Sequence, residues 1–298
     1  MELFPVNNEQ IWRESWLSAI EMAPMTRRLI RTEEELIKRW DKVAQLFANN
    51  KRPPGNGNAE KTIIRRLREQ NILKPGARVL DIGAGFGGLT FRLAETAGHI
   101  TAVEPSIAMA AILKERVHGN GIKNVHVDQR RWQDINVEAE GLVSQFDLVV
   151  ASMNPGVQTP EDLEKMNQVS RGFCYLSRFS GMKGFWGFDG IWELFFNEEP
   201  GMDPWDIIFP FNFLYALGYR PELDFIIKEN LDKVPVEDAV KRILASLWNY
   251  MDETPAVKKT VEQFVMDRSH AGFVKYQKGF CQGVMIWQVA GPMEILLE

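Results

Sequence analysis

The sequence predicts an α/β protein with a doubly wound, mostly parallel sheet of seven strands. An antiparallel C-terminal hairpin, N-terminal helices and a helical insert complete the predicted fold. Two observations predict it. Short, nearly continuous apolar runs alternate with helical patterns over residues 59–180, which is typical of parallel strands covered on both faces. Two more strand patterns follow after a long interruption, and they predict the antiparallel edge of the sheet.

The composition predicts an ordinary globular protein and argues against several other classes of protein. Of the 298 residues, 45% are hydrophobic and 25% are charged, as in ordinary globular proteins. The formal net charge of −5 argues against a nucleic-acid partner, which needs a basic surface. We find no apolar run long enough to span a membrane and no signal-peptide pattern, so we expect a cytoplasmic protein without membrane contact. No cysteine or histidine spacing predicts a metal site, and we expect Cys174 and Cys281 to be reduced thiols.

Helices are predicted before the sheet. Residues 9–48 have helical patterns, and one apolar stripe repeats at spacings of three and four: Leu36, Ile37, Trp40, Val43, Ala44 and Phe47. The segment KRPPGNGN, residues 51–58, interrupts them and predicts a loop, either a solvent-exposed linker or a site for an anionic group. A helix over 59–71 then leads into the first strand. We take 1–58 as an N-terminal helical extension and loop.

Residues 59–180 are predicted to form the core of the sheet. Strands are predicted at 78–82, 100–104, 124–128, 146–151 and 173–179. Helices are predicted at 87–97, 106–118 and 160–170. Because the connections are short, the strands are expected to run parallel with helices on both faces.

The last region, 181–298, departs from this alternation. It opens with an aromatic-rich connection over 184–219 and continues with strand patterns at 221–229 and 281–290. Between the two strands lies a helical insert with patterns over 236–251 and 255–268. The insert is expected to be either a cap over the site or a surface helical pair.

The stretch RVLDIGAGFGGLT, residues 78–90, carries the functional signal. Its glycines fit two spacings, one typical of dinucleotide cofactors and one typical of S-adenosylmethionine. Asp81 lies two residues before the first glycine, where its carboxylate would repel a pyrophosphate but suits a zwitterionic amino-acid tail. Glu104 follows Gly83 by 21 residues, a distance that suits a carboxylate bound to ribose hydroxyls in either fold.

The motif VLDIGAGFGGLT, followed by VEPS, resembles the class I, Rossmann-like S-adenosylmethionine-dependent methyltransferase family. The resemblance implies S-adenosylmethionine as cofactor, with S-adenosylhomocysteine as product. It implies that Asp81 orients the methionine amino group and that Glu104 holds the ribose. The other residues that it assigns to cofactor binding are Gly83, Ala84, Gly85, Pro105, Ser106, Ser152 and Asn154.

One position departs from the family pattern. Many members carry an acid after the third strand that accepts a hydrogen bond from adenine, and Arg131 stands there in this chain. Arginine has no acceptor. Either Asp128 or Asp134 replaces the acid, or Trp132 packs against the adenine ring. Plain burial of Trp132 in the core is the alternative.

The sequence predicts methyl transfer to a small molecule, because helical additions at both ends favour an enclosed site. RNA or protein methylation, non-catalytic binding of the cofactor, and a dinucleotide oxidoreductase are the competing functions. No side chain identifies itself as a general base, although His270 precedes the last strand. Trp40 and Asp41 are expected either to close over the cofactor or to pack in the core. Five aromatic residues are expected to line an acceptor pocket or to pack the added helices: Trp186, Phe188, Trp192, Phe195 and Phe196.

Overall fold

A central sheet of seven strands organises the chain in the computed structural model, which describes residues 8–48, 58–181, 190–228, 231–277 and 280–289. The strands are β1 (Arg78–Ile82), β2 (His99–Val103), β3 (Val125–Asp128), β4 (Phe146–Ser152), β5 (Ser170–Phe179), β6 (Glu222–Lys228) and, last in the chain, β10 (Phe280–Gln288). Their order across the sheet is β3-β2-β1-β4-β5-β10-β6. β1 to β5 pair in parallel, and β10 is antiparallel to both β5 and β6.

The predicted seven-stranded, mostly parallel sheet is therefore confirmed. The predicted antiparallel pairing of the last two strands is also confirmed, since β6 and β10 pair with each other across the helical insert. Since β10 runs antiparallel to β5, its first residues lie at the same edge as the last residues of β5, and Gln282 stands opposite Phe179. This edge holds the site described below.

Helices cover both faces of the sheet. The helices that precede and accompany the core are α1 (Glu9–Met22), α2 (Pro24–Arg27), α3 (Glu33–Ala48), α4 (Asn58–Glu69), α5 (Gly88–Ala94), α6 (Ile107–Gly119) and α7 (Pro160–Val169). One apolar cluster lies between the sheet and α1 and α7, and includes Trp16, Trp132 and Trp287. A second lies between the opposite face and α4 and α5, and includes Ile63, Leu67 and Tyr175.

The late helices are α8 (Ile191–Phe196), α9 (Ile208–Ala216), α10 (Val236–Leu247) and α11 (Pro255–Asp267). A small antiparallel sheet, which the sequence analysis missed, packs with this insert: β7 (Leu231–Pro235), β8 (Ser269–His270) and β9 (Phe273–Gln277), in the order β7-β9-β8. Trp192, Ile243 and Phe264 belong to a separate apolar cluster that joins α8, α10 and α11. The insert thus has a core of its own.

The ends of two elements, α5 and β5, differ from the predicted ends. The helix predicted at 87–97 covers only Gly88–Ala94, because Gly87 has φ of 94° and forms its N-cap. β5 begins at Ser170, three residues earlier than predicted, directly where α7 ends. The predicted loop at 51–58 lies outside the described residues except for its last residue, which begins α4. None of the described helices combines the length and apolar character needed to cross a bilayer.

Candidate cofactor and acceptor site

A cavity of about 810 Å³ lies at the carboxyl edge of β1, β2 and β4. Ligands of open α/β sheets bind at this edge, and the volume is within the range of about 300–1,000 Å³ for small-molecule pockets. Ten of the eleven predicted cofactor residues line it: Asp81, Gly83, Ala84, Gly85, Glu104, Pro105, Arg131, Trp132, Ser152 and Asn154. The eleventh, Ser106, is fully buried beside them. The structure thus brings the predicted residues together.

The glycine turn after β1 is held against β2. The backbone N–H groups of Gly83 and Ala84 both donate to the carbonyl of Val103, at 2.8 and 3.0 Å. Gly83 has φ of 67°, and a Cβ there would come within 2.5 Å of the Asn154 side chain. Gly85 has φ of 57°, and a Cβ there would meet no atom within 4 Å. The turn therefore presents bare backbone to open space, as a nucleoside cofactor requires.

Glu104 follows β2 and is fixed by the same turn. Its two carboxylate oxygens accept from the N–H groups of Gly85 and Ser106, both at 2.8 Å. Burial raises the pKa of Glu104, and the two backbone hydrogen bonds oppose that rise. Because a carboxylate accepts about four hydrogen bonds, one site on each oxygen remains for a vicinal diol. This residual capacity fits the ribose of S-adenosylmethionine.

Asp81 at the end of β1 is the most deeply buried acid of the cavity. Its side chain is 2% exposed and accepts a hydrogen bond of 2.6 Å from the hydroxyl of Thr90. Burial raises the pKa of Asp81 to about 7, and the nearby Glu104 carboxylate adds to the rise. An ammonium group beside Asp81 would favour its charged form, whereas a pyrophosphate would oppose it. The site thus suits the amino-acid tail of S-adenosylmethionine.

Asn154 connects the loop after β4 to the glycine turn. Its amide nitrogen donates to the carbonyl of Ile82 at 2.7 Å, and its amide oxygen accepts from the N–H of Gly156 at 2.7 Å. Ser152, two residues earlier, lies beside Ser177 with 3.2 Å between the hydroxyl oxygens. Both polar ends of Asn154 are therefore occupied by backbone, and the side chain supports the turn.

We expect Asn154→Ala to lower both stability and cofactor affinity. The change leaves two backbone groups without partners, which costs about 1–3 kcal/mol in unfolding free energy. It also removes the support of Gly83, so the affinity for S-adenosylhomocysteine should fall. Asn124→Ala is the matched control, because Asn124 donates to two backbone carbonyls at the opposite edge of the sheet. Urea unfolding and calorimetry should show similar stability losses and an affinity loss in Asn154→Ala alone.

Arg131 and Trp132 close one end of the cavity. Arg131 forms an ion pair with Glu33 of α3, at 2.6 Å, and Glu33 lines the cavity beside it. Trp132 is 2% exposed, packs in the core cluster and donates from its indole to the carbonyl of Asp162 at 3.3 Å. Neither Asp128 nor Asp134 lines the cavity, and Asp128 is paired with Arg130. At this end of the cavity, the lining carboxylate is therefore that of Glu33 in α3, and not that of an acid that follows β3.

Helix α3 lies over the cavity, and Leu36, Ile37 and Trp40 line it. The helix is held at two points. Near its start, Glu33 pairs with Arg131. Further along, Asp41 accepts from the hydroxyl of Ser106 at 2.6 Å and from the N–H of Ala108 at 3.0 Å.

A second set of contacts joins α3 to the helical insert. Arg31, just before α3, pairs with Asp252 at 2.7 Å and donates to the carbonyl of Trp248 at 2.8 Å. Arg39 donates to Asn249 at 2.5 Å. The guanidinium of Arg31 also lies 4.5 Å from the centre of the Trp248 ring. α3 is therefore held between α6 and the insert.

Several lining residues were missed by the sequence analysis. Glu60 and Ile63 come from the first half of α4, and Gln282 comes from the start of β10. The apolar stripe of α3 predicted a packed face, but nothing in it indicated that the face covers a cavity. Gln282 has no sequence signal at all, because its place at the site depends on the antiparallel pairing with β5.

Five aromatic residues were expected either to line an acceptor pocket or to pack the added helices, and the described ones among them do the second. Trp192 is fully buried in the core of the insert, and Phe195 and Phe196 pack against that core. Trp186 and Phe188 lie outside the described residues. His270 is exposed on β8 and is not among the lining residues. In the described part of the chain, no group of three His, Cys, Asp or Glu residues is arranged for a metal ion.

Comparison with known proteins agrees with the geometry. Residues 79–171 match the family model described as a methyltransferase domain. Ribosomal RNA small subunit methyltransferase G of Nitrosomonas europaea is 28% identical over 156 residues, which cover 50% of this chain and 66% of that protein. Ribosomal RNA small subunit methyltransferase A of Methanothermobacter thermautotrophicus is 41% identical over 66 residues, covering 22% and 24%. The chain thus spans less than two thirds of these relatives.

A solved structure shares the fold. A protein of Bacillus halodurans C-125, described as a methyltransferase, superposes with a TM-score of 0.51 at 15% identity, over 76% of this chain and 99% of that one. The cofactor of this class is S-adenosylmethionine, and its product is S-adenosylhomocysteine. The match over 79–171 identifies a methyltransferase domain in the central part of the chain. The strand order and the glycine turn with its two acids resemble those of the class I S-adenosylmethionine-dependent methyltransferases.

Proposed function

We propose that the chain transfers a methyl group from S-adenosylmethionine to a small molecule bound within the cavity. The observation that carries the proposal is the position of α3, which covers the cavity and is tied to α6 and to the insert. A covered cavity admits a small acceptor, whereas a polymer needs an open groove beside the cofactor.

The charges of the cavity support the same proposal. Among the described residues, the lining contains five acids: Glu33, Glu60, Asp81, Glu104 and Asp162. The two arginines among these described lining residues already have carboxylate partners, Arg131 with Glu33 and Arg31 with Asp252. A surface of this sign repels a phosphate backbone, since nucleic-acid binding depends on free cationic side chains.

The predicted cofactor residues have separate roles in this proposal. Glu104 binds the ribose hydroxyls, Asp81 binds the methionine ammonium, and Gly83 to Gly85 allow close approach of the backbone. Glu33, held by Arg131, supplies the carboxylate for the adenine amino group that the family places after the third strand. When bound, S-adenosylmethionine supplies an electrophilic methyl carbon, which an acceptor lone pair attacks while the S–CH₃ electron pair returns to sulfur. The protein positions and desolvates the acceptor for this in-line displacement.

Ribosomal RNA is the second candidate acceptor, because both curated relatives above are named as ribosomal RNA methyltransferases. Their similarity is partial, and the acidic lining described above argues for the small molecule. The two functions can be told apart by whether S-adenosylhomocysteine forms in the presence of small molecules or of ribosomal RNA.

A direct test measures S-adenosylhomocysteine formation with three substrate pools: a metabolite extract, ribosomal RNA and a protein extract. Turnover with the metabolite pool alone supports the proposal, and turnover with RNA alone contradicts it. Calorimetric titration with S-adenosylhomocysteine and with NAD checks the cofactor first. Binding of NAD without binding of S-adenosylhomocysteine would contradict methyl transfer altogether.

We expect Asp41→Ala to loosen the attachment of helix α3 over the cavity. Asp41 accepts from the hydroxyl of Ser106, the N-cap residue of α6, and from the N–H of Ala108. Its loss should cost about 1–2 kcal/mol of stability and speed the dissociation of S-adenosylhomocysteine in stopped-flow measurements. Thr254→Ala is the control, because Thr254 caps α11 away from the cavity. It should lose comparable stability with an unchanged dissociation rate.

A further inference from the structure

A second region of the cavity lies beyond the cofactor residues. Ser152, at the end of β4, stands opposite Ser177 of β5, and Gln282 of β10 stands opposite Phe179, two residues further along β5. These polar side chains form a row across three strands on the face covered by α4. Glu60, in the first turn of α4, lies in the cavity wall beside this row together with Ile63.

One polar group of this row lacks a partner. Gln282 lines the cavity and is only 3% exposed, yet its amide forms no hydrogen bond within the described residues. The serine hydroxyls differ, because those of Ser152 and Ser177 lie 3.2 Å apart and also neighbour the hydroxyl of Tyr175. The Gln282 amide therefore points to a ligand in the cavity that supplies its partner.

Glu60 carries a negative charge that no described residue pairs with. Among the five lining acids, Asp81 and Glu104 serve the cofactor, and Glu33 is paired with Arg131. Asp162 accepts from the backbone N–H groups of Gln158 and Thr159 at the start of α7.

Glu60 differs from these four acids. Within the described part of the chain, it forms neither a hydrogen bond nor an ion pair while lining the cavity. A carboxylate in a largely apolar wall favours a cation next to it.

We propose that this row and Glu60 form the acceptor subsite, and that the acceptor is a small molecule bearing an amine. The ammonium group pairs with Glu60, and a neighbouring polar group of the acceptor hydrogen-bonds to Gln282. The proposal rests on the methyltransferase function proposed above and narrows its substrate class. It makes Glu60 and Gln282 specificity-determining residues.

The test uses the full chain saturated with S-adenosylhomocysteine and two series of probes. Each series places an amine, an alcohol and a carboxylate on one scaffold: phenethylamine, 2-phenylethanol and 3-phenylpropionate, then hexylamine, hexanol and hexanoate. Affinities are measured by ligand-observed NMR. We expect the amine to bind at least tenfold more tightly than its alcohol and its carboxylate in at least one series. Failure of both amines to do so would overturn the proposal.

Variants of Glu60 and Gln282 test whether these two residues cause the preference for the amine. Glu60→Gln should remove the preference for the amine, while S-adenosylhomocysteine affinity stays within twofold. Gln282→Leu should weaken amine and alcohol binding alike. Their controls are Glu69→Gln, at the exposed end of α4, and Gln288→Leu, at the exposed end of β10.

Three outcomes separate this proposal from the more general one. A Glu60→Gln variant that loses cofactor affinity but keeps the amine preference would place Glu60 with the methionine tail and overturn the subsite. A chain that does not bind S-adenosylhomocysteine at all would contradict the methyltransferase function itself. Tight cofactor binding without an amine preference contradicts the subsite alone.

Discussion

Glu104→Ala should weaken binding of S-adenosylhomocysteine by about 30- to 1,000-fold, which corresponds to about 2–4 kcal/mol. The variant loses the two acceptor positions proposed for the ribose hydroxyls. It also frees the N–H groups of Gly85 and Ser106, which the carboxylate holds at 2.8 Å. The glycine turn then loses one of the contacts that fix it to the end of β2, while those of Gly83 and Ala84 to Val103 remain. Calorimetric titration measures the affinity directly.

Glu104→Gln provides the sharper comparison. An amide of the same shape offers one oxygen and one NH₂ group, and both backbone partners of Glu104 are donors. One N–H therefore faces an NH₂ group, so we expect at least a tenfold loss of affinity despite the conserved shape. Glu115→Gln, on the exposed side of α6, is the control and should bind as the native chain does. An affinity of Glu104→Gln within twofold of native would remove Glu104 from the cofactor site.

The position of Glu104 at the cavity could be predicted from the sequence because it depends on local rules. The distance between Gly83 and Glu104 is fixed by one helix and two short connections, and parallel strands bring both ends to one edge. The same reasoning placed Asp81 and Ser152. The core strands were predictable for the same reason, since each is a buried apolar run with a turn signal on either side.

The remainder of the site depends on long-range packing that no local pattern encodes. Glu33 reaches the cavity because α3 crosses it, and the pairing of Glu33 with Arg131 joins residues almost one hundred positions apart. Gln282 arrives through a strand that pairs across an insert of some fifty residues. β7 and β9 were missed because each has only five residues, too few for its apolar residues to show a clear period.

The aromatic-rich connection over 184–219 illustrates the limits of composition. Five of its aromatic residues were expected to line an acceptor pocket or to pack the added helices. For Trp192, Phe195 and Phe196, the structure agrees with the second alternative. Trp192 lies 5.0 Å from Tyr250, ring centre to ring centre, inside a core that is separate from the central sheet. The many aromatic residues in this segment therefore indicated a hydrophobic core. Only the arrangement of the helices shows that this core is the one between α8, α10 and α11.

Asp81→Asn should make the chain without cofactor more stable at pH 8 and at the same time weaken cofactor binding. The pKa of Asp81 is raised from 3.8 to about 7 by burial. Between these pH values, the folded chain retains a proton that the unfolded chain has lost, so rising pH destabilises the fold. The loss begins near pH 4, is complete above about pH 7 and amounts to about 4 kcal/mol. Asparagine carries no charge and still accepts the hydrogen bond from Thr90.

The two consequences are measured separately. Urea unfolding from pH 5 to pH 8 should show native stability falling relative to Asp81→Asn, whereas Asp267→Asn, an exposed control, should follow the native curve. A native curve parallel to that of Asp81→Asn would contradict the raised pKa. Calorimetry at pH 8 should show at least a tenfold weaker affinity of Asp81→Asn for S-adenosylhomocysteine, because the ammonium loses its counter-charge. A buried acid that destabilises the empty chain and is compensated by a bound cation is retained for binding, not for folding.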